Sequence, residues 1–293
     1  MKLFIWRKGK SKELKYFSHI LEFALQNHNA VNFHSLGTAS AAKVRIVYII
    51  EGNFFWKINQ QPQVLYPGDC IVLAKGEQLE DQVETLHMGK ICWLQLNIKS
   101  LKATKLLKPG LWSALSSVET ESISSKLNKS NKPVLTGCKE MGSIFGALQS
   151  ELQNKYFGYI TRVNQLIDQL FILIARHLFF QTEIHRYQPP TFVSLEQTLR
   201  KNLAHKWTVE KMASLVGMRM TSFTEKIKKN TGYSPLNYLI TIRISEAIKM
   251  LRKGNIRVTD IALDTGFYSS QHFSTTFKKL TGSSPREFRR KIE

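Results

Sequence analysis

Two lysine-tailed segments near the end of this 293-residue chain hold the side chains best placed for chemistry. Phe223-Thr224-Glu225-Lys226-Ile227-Lys228-Lys229-Asn230-Thr231-Gly232-Tyr233-Ser234-Pro235 returns fifty residues later as Phe273-Ser274-Thr275-Thr276-Phe277-Lys278-Lys279-Leu280-Thr281-Gly282-Ser283-Ser284-Pro285. Phe223 and Ile227 in the first copy, and Phe273 and Phe277 in the second, recur at helical spacing and mark a core face. Thr221, Ser222, Thr224, Glu225 and Lys228 then lie outward. Their counterparts are Ser270, Gln271, Ser274, Thr275 and Lys278. Hydroxyls, an amide and a carboxylate can pair with base edges, and lysines near the helix end can meet phosphates. The chemistry implied is hydrogen-bonded reading of a duplex, not bond breaking.

Such helices need a scaffold, and it too is duplicated. Val209-x-x-Met212-Ala213-x-x-x-Gly217 returns as Val258-x-x-Ile261-Ala262-x-x-x-Gly266. Val209, Met212, Ala213 and Val216 form one apolar stripe, as do Val258, Ile261, Ala262 and Thr265. Thr208 and Thr259 read as caps at the helix starts. Gly217 and Gly266 read as the left-handed residue that ends each helix. Each unit is therefore a short helix, a turn and a second helix, and two such helix-turn-helix units stand in tandem. Between them Asn237 to about Leu251 keeps a helical pattern. Fifteen residues at about 1.5 Å give a rod of roughly 22 Å. With its flanking units it suits two helices set about one DNA turn, ~34 Å, apart.

Charge agrees with that placement. The chain carries +20, with 42 Lys and Arg against 22 Asp and Glu. Residues 191–293 hold 19 basic against 8 acidic side chains, a net of +11, so this segment is about twice as basic per residue as the rest. A phosphate backbone is the partner this suits. Hydrophobic residues make up 43 %, which excludes wholesale disorder.

The preceding residues read differently. Residues 11–27 place Phe17, Ile20, Leu21, Ala24 and Leu25 at a helical spacing. From about 31 to 100 short apolar runs alternate with turns at Gly52-Asn53, Pro62 and Pro67-Gly68-Asp69, which predicts a small antiparallel barrel or sandwich. Its interior should include Tyr48, Trp56, Ile58 and Trp93, read as plain core or as a cage for an effector. Residues 99–140 are polar and uninformative. Two helices are expected between Met141 and Glu183, broken near Gly158. The second, 159–180, is apolar over more than one face, so it either packs onto the barrel or forms a dimer contact. Gln188-Pro189-Pro190 marks a hinge. The expected class is α+β. Residues 1–140 form a β sensor domain, 141–187 a helical packing or dimerisation segment, 188–193 a linker and 194–293 a DNA-binding domain. An apolar leader is missing from the start, and Leu170–Ala175 runs into Arg176 and His177, so a cytosolic location is expected.

Arg243-Ile244-x-x-Ala247-x-x-Met250-Leu251, followed by Ile261-Ala262-x-x-x-Gly266-Phe267-Tyr268-Ser269-Ser270-Gln271-His272-Phe273 and Gly282-x-Ser284-Pro285-x-x-Phe288-Arg289, looks like the signature of the AraC/XylS family of bacterial transcription regulators. The resemblance covers about residues 194–290. The residues around Gly52 and Pro67-Gly68-Asp69 are more weakly similar to the cupin-like sensor domain many members carry. The family implies a DNA-binding regulator, often an activator that contacts RNA polymerase, frequently a homodimer, and switched by a small-molecule effector. Members often place Arg where Glu225 and Thr275 stand here, so the bases read cannot be transferred.

Two rivals share the same duplicated module. A cupin-type enzyme would need clustered His and carboxylate ligands. Residues 44–74 hold no histidine, and His87 stands alone beyond Glu80, Asp81 and Glu84. An alkylation-repair protein would need a clustered, activated thiol, whereas Cys70, Cys92 and Cys138 are scattered. The expectation is a non-enzyme without metal or cofactor.

Overall fold

The computed structural model describes residues 3–28, 43–73, 79–81, 88–100, 107–129, 134–180, 190–254 and 256–290. The strands are β1 (Phe4–Arg7), β2 (Ile20–His28), β3 (Lys43–Glu51), β4 (Phe54–Ile58), β5 (Gln61–Leu65), β6 (Cys70–Leu73), β7 (Leu79–Asp81), β8 (Gly89–Asn97), β9 (Lys99–Ser100), β10 (Leu107–Lys108) and β11 (Val134–Leu135). The helices are α1 (Ser117–Lys129), α2 (Lys139–Asn154), α3 (Tyr159–Phe180), α4 (Pro190–Lys201), α5 (Val209–Leu215), α6 (Met220–Thr231), α7 (Pro235–Arg252), α8 (Val258–Asp264), α9 (Ser270–Thr281) and α10 (Pro285–Arg290). Most strands precede the helices, with β11 alone following α1, so the class is α+β as expected.

An antiparallel sheet runs β1-β2-β8-β3-β6-β11, and a smaller one runs β5-β4-β7. Between them lies an apolar layer of Val47, Ile49, Phe54, Trp56, Ile58, Leu65, Ile71, Leu73, Ile91 and Trp93. β4 reads as its sequence suggests, with Phe54, Trp56 and Ile58 buried and the residues between them half-buried. Among the described residues no pairing joins β1 to β11, so the sheets stay open there and the expected barrel is not closed.

The helix expected over residues 11–27 is a strand instead. Only Lys12–Leu14 coil, as a single 3-10 turn, and Ile20–His28 pairs with β8 through Phe23↔Leu94 and Leu25↔Cys92. The physical reason is burial on both faces. Phe23 and Leu25 point to the helix-covered core and Ala24 to the layer between sheets, which hides the period-two signal. A register shift between Ile20 and Glu22 blurs it further.

On its other face the large sheet carries α2 and α3, which meet where expected at Gly158, a left-handed glycine. Val163, Leu166, Ile167, Leu170, Phe171 and Ile174 of α3 are all buried within this chain. The second apolar stripe of α3 is covered largely by α1, which the sequence left unread. A second copy is therefore not required to explain it. The start of α1 did carry a signal: Ser116 and Glu119 form a reciprocal box, with Glu119 N donating to Ser116 Oγ at 3.3 Å and Ser116 N to Glu119 Oε2 at 2.8 Å.

Candidate nucleic-acid interface

α5 and α6 form the first helix-turn-helix unit and α8 and α9 the second. In the first, Met212, Ala213, Phe223 and Ile227 bury against Phe192, Leu195 and Leu199 of α4 and Leu239 and Ile242 of α7. The second buries Ile261, Ala262, Phe267, Phe273, Phe277 and Phe288 against Ile244, Ala247, Ile248 and Leu251. Both units thus share α7 as a wall, one on each half of its length. The rod is longer than the sequence pattern alone set it, 18 residues rather than fifteen, because Pro235 begins it one residue past Ser234.

Burying those apolar positions turns the polar ones outward. Thr221, Ser222, Glu225 and Lys228 of α6 are exposed and Thr224 is half-buried. Ser270, Gln271, Thr275 and Lys278 of α9 are exposed and Ser274 is half-buried. The ten expected reading residues accordingly line the outer sides of two similar helices. Each helix ends at a left-handed glycine, Gly232 at φ 76° and Gly282 at φ 82°, after Lys228-Lys229 and Lys278-Lys279. Cations there also complement the negative end of the helix dipole.

The caps differ from expectation in one place. Thr208 does cap α5, its hydroxyl accepting from Lys211 N at 3.2 Å. Thr259 does not cap α8, which starts at Val258, two residues earlier than that cap would place it. Arg257 holds the cap position without a side-chain bond, and the Thr259 hydroxyl donates to Asp260 instead. Arg257 stands 49 residues after Thr208, as Val258 does after Val209, so the second copy has an arginine where the first has its capping threonine.

Ion pairing fixes the scaffold, and the sequence reading overlooked it. Arg200 donates to Glu196 Oε1 at 2.7 Å and to Glu246 Oε1 at 2.6 Å, and Lys249 reaches the same Glu246 oxygen. Burial pulls the Arg200 pKa down, but the two carboxylates more than offset it and hold it above its ordinary value. The Tyr238 hydroxyl donates to Glu196 Oε2 at 2.7 Å. Burial first, and Glu196 second, push its pKa well up, so it remains a donor. Arg243 donates to Leu203 O and His205 O, which staples the loop after α4 to α7; burial lowers its pKa. Glu196 and Arg200, four residues apart, were the signal available in the sequence.

Trp56, Ile58 and Trp93 share the layer between the sheets. Tyr48 lies on the opposite side of the large sheet, stacked on Phe145 at 5.8 Å. The structure therefore does not bring the four expected effector residues together. Trp93 Nε1 donates to Glu22 Oε1 at 2.7 Å. The three cysteines are buried and form no disulfide among the described residues, and burial pushes the Cys70 and Cys92 thiols well up. Among the described residues no group of three His, Cys, Asp or Glu side chains could hold a metal ion. His87 and Glu84 lie outside those residues, as do the side chains of Glu80 and Asp81. Among them, too, no helix is long and apolar enough to cross a membrane.

Residues 212–291 match the model of a helix-turn-helix domain family. A putative AraC-like transcription regulator of Streptomyces antibioticus is 31% identical over 101 residues, 34% of this chain and 33% of that one. The transcriptional activator RhaS of Mannheimia succiniciproducens is 24% identical over 255 residues, 83% of this chain and 85% of its own length. The matched domain and these relatives support a transcription regulator of the AraC/XylS type. The virulence regulon transcriptional activator VirF of Yersinia enterocolitica is a further relative, 25% identical over 251 residues, 82% of this chain and 87% of that one. The chain is therefore similar to two activators over most of its length, and the matched domain begins within α5 and takes in α6 to α10.

Proposed function

We propose that this chain is a sequence-specific DNA-binding transcription activator that lays α6 and α9 in successive major grooves on one face of the duplex. The single observation that carries the reading is the pair of polar outer faces on two helices, each closed by two lysines and a left-handed glycine. Base edges would be read by Thr221, Ser222, Thr224, Glu225, Ser270, Gln271, Ser274 and Thr275, with Lys228 and Lys278 on phosphates. Glu225 suits a cytosine N4 donor, and Gln271 an adenine presenting N6 and N7. RNA polymerase and a second copy of the chain belong to this reading as partners, and a small-molecule effector as its switch. The exposed Phe179 at the end of α3 is where a second copy would find apolar surface.

Selecting sites from a random duplex library with the full chain tests the reading. Two half-sites centred about 10–10.5 base pairs apart are expected. Log affinity should fall with log salt by about 0.9 per phosphate contact. Selection of no motif, or binding indifferent to salt, would overturn it.

A further inference from the structure

The sheet end of the first half of the chain reaches both helix-turn-helix units through one ridge. Its two parts are the β3–β4 turn, Glu51-Gly52-Asn53, and the lead into β8, Met88-Gly89-Lys90. They are packed so closely that a side chain on either glycine would collide. A Cβ on Gly52 would stand 2.3 Å from Met88 O, and one on Gly89 would stand 2.1 Å from Glu51 O. Lys90 Nζ closes the pair by donating to Glu51 Oε1 at 3.0 Å. The ridge is a single stiff body.

On one side it finishes α6. The last carbonyls of a helix have no donor within it. Here Gly52 N donates to Thr231 O at 2.7 Å, and the Asn53 amide, oriented with nitrogen toward the helix, donates to Asn230 O at 2.6 Å. Gly232 permits the approach, since its Cβ would lie only 3.0 Å from Glu51 Cα. On the other side Met88, 6% exposed, joins the apolar cluster of α7, α8, α9 and α10. Burial, and then Glu51, push the Tyr233 hydroxyl pKa up beside the same contact. The ridge meets α6 at its C-terminal end, while Thr221, Ser222, Glu225, Lys228, Gln271, Thr275 and Lys278 all stay exposed. Docking and reading therefore use different surfaces.

We propose that Asn53 and Met88 are positioning residues for DNA recognition: the ridge holds the two units at one relative placement and so sets which half-site spacing the chain accepts. The inference rests on the DNA-reading function proposed above. With the hydrogen bonds at α6 and the apolar anchor at the second unit both engaged, the sheet's arrangement is tied to that placement.

The test uses the full chain and the duplexes it selects: both half-sites at the selected spacing, one half-site alone, and both with five base pairs inserted. Asn53→Ala with Met88→Ala should weaken binding to the paired site about tenfold, within the usual range of coupling between sites. Binding to the single half-site should be unchanged, and discrimination against the insertion should fall. Restoring Met88 as leucine in place of alanine should recover most of the loss, which a thermal melt of each variant separates from unfolding. Unchanged paired-site affinity and spacing preference in the double variant would overturn the inference while leaving the reading intact. Tighter paired-site binding would overturn it as well, because the ridge would then restrain the units rather than place them. A wild-type chain that selects no site would overturn the reading, and the inference with it.

Discussion

The two helix-turn-helix units share a sequence pattern but hold themselves together by different means. The second is an aromatic cluster in which Phe273 stands 5.5 Å from Phe277, Phe277 5.4 Å from Phe288, and Phe267 5.1 Å from Phe273. The first has one buried aromatic of its own, Phe223, and borrows Phe192 from α4, 6.5 Å away. Their turns differ too. Gly217 faces open space, whereas Gly266 sits against Leu203 O and the Arg243 guanidinium. Their second helices start differently, since Ser269 caps α9 by accepting from His272 N at 3.1 Å and Arg219 gives α6 no side-chain cap. The pattern of a motif thus specifies its backbone path, while stability is supplied locally, by whatever each copy packs against.

The comparison breaks most readily in the cores. Phe277→Ala should cost about 4 kcal/mol and Ile227→Ala about 3 kcal/mol, read by urea unfolding of the full chain. Equal losses would mean that the aromatic cluster adds nothing beyond buried area. Next come the turns. Gly266→Ala should cost about 3 kcal/mol, combining left-handed strain with a Cβ 2.2 Å from a carbonyl, and Gly217→Ala about 1 kcal/mol from strain alone. The same unfolding measurement separates them.

Reading should divide along the helix. Gln271→Ala should remove about 1–3 kcal/mol of discrimination at one base pair. Lys278→Ala should weaken binding to every sequence alike and lower the salt slope by about 0.9. Competition binding on selected and scrambled duplexes at several salt concentrations checks both. The smallest effect lies at the caps. Ser269→Ala should cost about 1 kcal/mol, and Arg219→Ser should return somewhat less by giving α6 the cap its counterpart has. Thermal melts read both, and no gain from Arg219→Ser would mean that the turn geometry at α6 cannot use a hydroxyl.

What was legible in the sequence was what repeats or alternates. The second helices, their core aromatics and the terminal glycines followed from spacing alone, because two copies of one pattern cross-check each other. Phe54, Trp56 and Ile58 were legible for a similar reason, being buried on one face. Ile20–His28 was not, since a strand buried on both faces has no alternation and can imitate a helix over a few residues. α1 was hidden by its polar composition, although the Ser116–Glu119 box marked its start. The separation of Tyr48 from Trp56, Ile58 and Trp93 could not be read at all. It depends on which side of a strand faces which layer, and that is fixed by pairing partners distant in sequence.

α7 has a consequence of its own. It is one unbroken helix of 18 residues, with one half walling each unit. Adding or removing a single residue within it would shift the second unit by about 1.5 Å and turn it by roughly 100° about the helix axis. No intermediate length of the helix exists. The helix therefore works as a ruler with indivisible marks, and the two units can drift apart in their surface residues but not in the length of the segment between them. Under the proposed reading, α7 sets the separation of the two units in whole helical residues, the ridge fixes their placement within that separation, and a change of target must come from side chains on α6 and α9.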